Sequence, residues 1–151
     1  MELEALDELY RDIILDHCKN PRHANHLDHP DLESQGNNPF CGDEISLQVK
    51  LSQGRIVEIG FNGRGCSISQ ASGSIMAGVI EGKSLEEVGE LANIFRDLMK
   101  GKALLPNESD RLGELEALSG VREFPIRIKC ALLGWSILED GIKKYSSDNG
   151  E

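Results

Sequence analysis

The 151-residue sequence is short of several things, and each shortage removes a class of protein. No apolar run approaches the ~20 residues that a membrane-spanning helix requires. Basic residues are scarce: 16 Lys plus Arg stand against 26 Asp plus Glu, a formal net charge of -10. A surface of that sign repels phosphates, and no basic stripe with interleaved aromatics offsets it, so nucleic acid is not an expected partner. The opening Met1-Glu2-Leu3-Glu4-Ala5-Leu6-Asp7 is acidic where targeting segments are basic, so a cytoplasmic location is expected. No two of the four cysteines have the spacing of a zinc ribbon or a thioredoxin-type motif. Internal repeats and low-complexity segments are also missing.

What is present suits one folded domain. Hydrophobic residues make up 39% and fall at regular positions, enough to bury a core. Leu6, Leu9, Tyr10, Ile13, Ile14 and His17 recur at three- and four-residue steps, the stripe of a helix that Asn20-Pro21 stops. Residues 21–39 lack periodicity and read as a long loop. Over 44–51 apolar and polar residues alternate, as one buried sheet face requires. Ser52-Gln53-Gly54 turns the chain into a second strand over 55–61, with Val57, Ile59 and Phe61 expected to continue that face in an antiparallel hairpin.

Helices follow. Ser67 with Gln70 reads as a capping box opening a helix with Ile68, Ser72, Ile75, Met76 and Val79 inward, while Gly73 and Ala77 leave room for a neighbouring backbone. Ser84 with Glu87 opens the next, whose stripe is Leu85, Val88, Leu91, Ala92, Phe95, Leu98 and Met99. Residues 102–120 are polar, with Leu112, Leu115 and Leu118 on a short helix, and are expected as an insertion on the surface. A last helix runs from Pro125 to about residue 144, with Ile128, Leu132, Trp135 and Ile142 as core candidates. Strands early and helices late predict an α+β domain, a small antiparallel sheet with helices on one face. The expected domain is 1–145, followed by a flexible tail over 146–151.

The cysteines carry the chemistry. Cys41 and Asp43 are two apart on extended chain and point the same way, with Gly42 free to bend between them. Cys66 precedes a helix start and follows Gly63-Arg64-Gly65, where the helix end and the Arg64 cation favour a thiolate. Cys130 lies early in the last helix, near Arg127 and Lys129. Three thiolates and a carboxylate would make a tetrahedral zinc site with one exchangeable oxygen ligand. Each cysteine alone is as readily a packing residue as a ligand, but two of the three occupy Gly-rich polar junctions, the wrong place for core filler. Cys18 lies off the helix stripe and reads as an inert thiol, His17 reads as a core or cap residue, and His23, His26 and His29 as solvated loop residues.

Asn38-Pro39-Phe40-Cys41-Gly42-Asp43, Gly63-Arg64-Gly65-Cys66-Ser67-Ile68-Ser69-Gln70-Ala71-Ser72 and Pro125-Ile126-Arg127-Ile128-Lys129-Cys130 together resemble the three cysteine motifs of the U-type iron-sulfur cluster assembly proteins. The resemblance covers nearly the whole chain. It implies an α+β domain that receives sulfur from a cysteine desulfurase, with Cys41, Asp43, Cys66 and Cys130 as ligands. Lys129 stands where the scaffold branch has a histidine, and Pro125 stands without the second proline of a chaperone-recognition segment. Those departures, with the 102–120 segment, resemble the SufU-type branch, whose members bind zinc and accept sulfur.

On that reading Cys41 is the nucleophile toward the persulfide of a SufS-type desulfurase, and the sulfur passes to a downstream iron-sulfur assembly complex. Docking of the desulfurase is expected to release Cys41 from the zinc. The alternatives are a scaffold for a labile, transient iron-sulfur cluster on the same four residues, and a purely structural zinc module.

Overall fold

The computed structural model describes residues 8–38 and 42–148. Helix α1 (Glu8–Lys19) precedes three strands, β1 (Leu32–Asn38), β2 (Asp43–Ser52) and β3 (Arg55–Arg64). Helices α2 (Ser67–Ile80), α3 (Leu85–Met99) and α4 (Pro106–Leu112) follow, then a 3-10 helix over Gly113–Glu123 and the long α5 (Pro125–Asp148). The strands form one antiparallel sheet in the order β1-β2-β3.

The hairpin forms as its alternation demands. Gln53 and Gly54 both have positive φ, 52° and 76°, the mirror-image turn whose twist matches the strands it joins. Ile45, Leu47, Val49, Ile59 and Phe61 are buried on the inner face. Val57 is not: it is 45% exposed, and Ile56 is fully buried in its place. The pairing register slips between Lys50 and Leu51, and a one-residue slip exchanges the two faces of a strand.

The sheet has a third strand that the reading of 21–39 as a loop missed. Leu32–Asn38 pairs with β2 along its whole length, from Leu32 opposite Val49 to Asn38 opposite Asp43. Its side chains are almost all polar, so its backbone pairing and one anchor, Leu32, hold it in place. Helix α5 crosses it closely at Gly36, where a Cβ would stand 2.9 Å from Ile137.

Helix α2 is the centre of the helical layer, with Ile68, Ala71, Ile75, Met76, Ala77 and Ile80 all buried. It packs on β3 at Gly73, where any Cβ would overlap the Phe61 ring. Burying that ring alone contributes about 1.5–3 kcal/mol. Ser72 donates its hydroxyl proton to the Ala131 carbonyl at 2.6 Å, pinning α2 to α5. The reciprocal cap predicted at Ser84 and Glu87 is present at the start of α3. The Arg96–Glu139 ion pair joins α3 to α5, and Trp135 packs against Phe95 with ring centroids 5.9 Å apart.

The segment 102–120 is more than a surface appendage. Leu112, Leu115 and Leu118, with Val121 beyond them, are fully buried against α1, α2, α3 and α5. His17 of α1 adds a polar tie: Nδ1 lies 2.8 Å from Ser74 Oγ, and Nε2 lies 3.1 Å from a Glu114 carboxylate oxygen. The Arg22 backbone N–H donates to the same Ser74 oxygen. Helix α5 continues through Asp148, four residues past the expected end at 144. No helix among the described residues is long and apolar enough to cross a membrane.

Candidate metal centre

Three junctions of the fold meet at one end of the sheet: the start of β2, the passage from β3 into α2, and the first turns of α5. Asp43 is the first residue of β2 and is fully buried. Cys66 is the N-cap of α2, in extended conformation with φ −72° and ψ 165°. Cys130 lies one and a half turns into α5 and is fully buried, its helix fixed to α2 by the Ser72 to Ala131 bond.

The helix start is displaced from the sequence reading by one residue. Ser67 and Gln70 match the pattern of a capping box, yet Ser67 is already helical and the cap is Cys66 itself. Its Sγ accepts the Ser69 N–H at 3.5 Å, while the Ser69 hydroxyl donates to the Cys66 carbonyl at 3.1 Å. The Cys66 N–H donates to Asp43 Oδ1 at 2.8 Å. Glycine is required here by space. A Cβ on Gly65 would overlap the Asp43 carboxylate, and one on Gly63 would overlap the Glu44 carbonyl oxygen.

The result is a convergence of ligand atoms. A carboxylate oxygen of Asp43, Cys66 Sγ and Cys130 Sγ all lie within 4.8 Å of one another. Among the described residues no other trio of histidine, cysteine and acidic side chains gathers in this way. The second oxygen of Asp43, Oδ2, is buried with no hydrogen-bond partner among the described residues. Leaving such an atom unpaired costs about 1–3 kcal/mol, more when it is charged, so it calls for a partner.

The donor set suits zinc. Soft thiolates with a carboxylate match its preferences, and ligands at about 2.0–2.3 Å from the ion stand roughly 3.5 Å from one another in a tetrahedron. Separations within 4.8 Å are compatible with closure onto one ion. Cys41, the expected fourth ligand and nucleophile, lies outside the described residues. It belongs to the four-residue connection between Asn38 and Asp43, which face each other across the β1–β2 pairing. Gly42, next to it, has φ of 70°, which glycine adopts without strain.

The remaining sequence candidates stand apart from this group. The half-buried Cys18 donates its S–H to the Ser67 carbonyl at 3.0 Å. Burial, aided by the proximity of Cys66, pushes its thiol up to about 11, so it stays protonated at neutral pH. His17 is buried in its polar tie, His23 faces Glu81 at 3.8 Å, and His26 and His29 are exposed. Arg64, expected as a cation beside Cys66, is instead paired with Glu44 at 3.1 Å and is 80% exposed. Arg127 does approach its cysteine, with Nη1 4.0 Å from Cys130 Sγ, while Lys129 is exposed.

Sequence reasoning passed over Asn38 and Ser69 as contributors. Asn38 Nδ2 lies 3.6 Å from Cys130 Sγ. The Asn38 side chain sits inside a quoted motif, but nothing in the motif says that its amide meets a sulfur 92 residues away.

The chain is similar to known proteins along nearly its whole length. The profile of the NifU-like N terminal domain matches residues 9–131. The zinc-dependent sulfurtransferase SufU of Bacillus subtilis is 46% identical over 144 residues, covering 95% of this chain and 96% of that protein. The iron-sulfur cluster assembly scaffold protein IscU of Streptococcus pyogenes is 45% identical over 147 residues, 97% of this chain and 91% of that one. Among solved structures, a NifU-like protein (N-terminal) from Brucella abortus superposes with a TM-score of 0.84 over 97% of this chain and 99% of that chain, at 21% identity, which speaks to the fold alone.

Proposed function

Since the chain belongs to the NifU-like N-terminal domain family, we propose that it is a zinc-dependent sulfur acceptor of iron-sulfur cluster biogenesis, with Cys41 as its acceptor. The observation that carries this reading is the meeting of ligand atoms of Asp43, Cys66 and Cys130, with one buried Asp43 oxygen unpartnered among the described residues. Cys41, Asp43, Cys66 and Cys130 would hold the zinc. When bound, zinc keeps thiolates deprotonated at neutral pH, the form that thiol exchange requires.

The protein's residues divide the remaining work. Cys66 is fixed by the Asp43 and Ser69 hydrogen bonds and Cys130 by its helix, so the acceptor role falls to Cys41. Its thiolate attacks the outer sulfur of a persulfide carried by the donor. One bond forms, from Cys41 Sγ to that sulfur; one breaks, the donor's S–S bond, and the donor cysteine leaves as a thiolate. No external oxidant or reductant is consumed. The donor is a cysteine desulfurase of the SufS type, the sulfur goes on to an iron-sulfur assembly complex, and the working unit is a cytoplasmic single domain over 1–145.

The test is mass spectrometry of the full chain after incubation with a cysteine desulfurase and free cysteine. One added sulfur located on Cys41, and none on Cys41→Ala, is the expected result; sulfur acceptance that survives Cys41→Ala overturns the assignment. The likeness to the IscU scaffold protein supports a second reading, cluster assembly on the same residues. Anaerobic purification separates the two: colourless protein with one zinc fits sulfur transfer, and brown protein with bound iron fits the scaffold.

A further inference from the structure

We infer that Asn38 is a positioning residue of the metal centre, holding the Cys130 sulfur toward Asp43 and Cys66 through an N–H···S hydrogen bond. The inference rests on the metal-binding reading above. Asn38 is the last residue of β1 and only 6% exposed, with Nδ2 3.6 Å from Cys130 Sγ. A buried amide usually meets an oxygen, and giving its N–H to a sulfur is favourable chiefly when the sulfur carries charge.

The surroundings of Cys130 sharpen the point. As a thiol it can donate to the Ile126 carbonyl of its own helix, 3.9 Å away. As a thiolate it has no proton to give and is repelled by that carbonyl, so it needs donors. Among the described residues, Asn38 Nδ2 at 3.6 Å and Arg127 Nη1 at 4.0 Å are side-chain donors that face this sulfur. Metal ligands are commonly oriented by such outer hydrogen bonds.

The pairing of Asn38 with Asp43 adds a mechanical role. Both ends of the connection that carries Cys41 are tied to a cysteine. Asp43 accepts the Cys66 N–H at one end, and Asn38 donates to the Cys130 sulfur at the other. The geometry of the two anchored sulfurs is thereby linked to the base of the segment bearing the third.

The test uses the full chain loaded with cobalt(II), whose thiolate-to-metal charge-transfer bands report the charge on the sulfurs, and a chelator competition for zinc. Asn38→Asp keeps the shape and withdraws the donor; Asn38→Ala, which is smaller and cannot clash, carries the same test should the first variant not fold. Without the N–H the sulfur donates more strongly, which should move the bands to lower energy in both variants. It is also no longer held toward Asp43 and Cys66, which should outweigh the stronger donation and release zinc about 10–100-fold more readily. Melting of the zinc-free variants shows any purely structural effect separately, since such an effect leaves the bands in place. Unmoved bands with wild-type zinc affinity would overturn the role of Asn38. A wild-type protein with no charge-transfer band at all would instead overturn the metal reading, and this inference with it.

Discussion

Helices α2 and α3 begin under the same requirement and meet it with different chemistry. Each follows a strand or turn, and each must satisfy backbone N–H groups that have no partner within the helix. At α3 the Ser84 hydroxyl accepts the Glu87 N–H at 3.1 Å, and the Glu87 carboxylate accepts the Ser84 N–H at 3.0 Å. The bonds from Ser84 hold the Glu87 carboxyl below its ordinary range. At α2 the acceptor is a sulfur at 3.5 Å, and the carboxylate that takes the cap's own N–H comes from another strand, Asp43 of β2. The first cap satisfies its own backbone N–H groups from within four residues. The second leaves a sulfur with lone pairs free and a carboxylate with one oxygen unpaired, a weaker cap that can bind something.

The strongest way to break this comparison is Cys66→Ser. It removes a ligand from a site of a kind worth on the order of 10 kcal/mol, so zinc retention should collapse. A hydroxyl is the better cap, so the zinc-free variant should melt no lower than the zinc-free wild type, and up to about 1 kcal/mol more stably. Metal analysis and the fluorescence of the single tryptophan, Trp135, read the two effects; a zinc-free variant that melts far below wild type would mean that Cys66 is structural.

Next in size is Asp43→Asn, which keeps an oxygen for the Cys66 N–H and removes the buried charge. It should hold or raise zinc-free stability by about 1 kcal/mol while narrowing the gap between zinc-free and zinc-loaded melting temperatures. An unchanged gap would remove Asp43 from the ligand set. Ser84→Ala sharpens the other side: a loss of about 1 kcal/mol, or 2–4 °C, the same with and without zinc. A zinc-dependent loss would show the two helix starts to be coupled.

The smallest effects are expected from a pair of exposed ion pairs, Arg55–Glu87 beside α3 and Arg64–Glu44 beside α2. Each arginine-to-alanine change should cost under about 0.5 kcal/mol in low salt and less at high ionic strength, by denaturant titration. A larger cost at Arg64 would mean that its charge reaches the sulfurs.

The same contrast explains what could be read in advance. The Ser84 cap is local, four residues long, and its sequence is its structure. The hairpin is nearly so, since alternation and a short turn suffice, though the slip at Lys50 and Leu51 left no mark in the pattern and reversed Val57 and Ile56. The strand Leu32–Asn38 was illegible because it is specified by a neighbour: its polar side chains carry no period, and β2 supplies its hydrogen bonds. Leu112, Leu115 and Leu118 were visible as apolar, but only the folded helical layer shows that they enter the core. In the centre the motifs named Asp43, Cys66 and Cys130, whereas spacing alone could not show that β2, α2 and α5 bring them together. The substitution of a sulfur for a hydroxyl at the α2 cap was masked by Ser67, which matches the pattern one residue too late.

One polar tie in the helical layer brings together the three groups of a hydrolase triad, with the two imidazole nitrogens exchanged. Ser74, His17 and Glu114 form a hydroxyl–imidazole–carboxylate relay with spacings of 2.8 and 3.1 Å, the sequence of groups that in serine hydrolases turns an alcohol into a nucleophile. Here the Ser74 hydroxyl is sealed from solvent and its oxygen already receives the Arg22 amide proton. No substrate can reach that oxygen. The relay serves as a rivet between α1, α2 and the 3-10 helix, and an active-site serine probe such as a fluorophosphonate should leave it untouched.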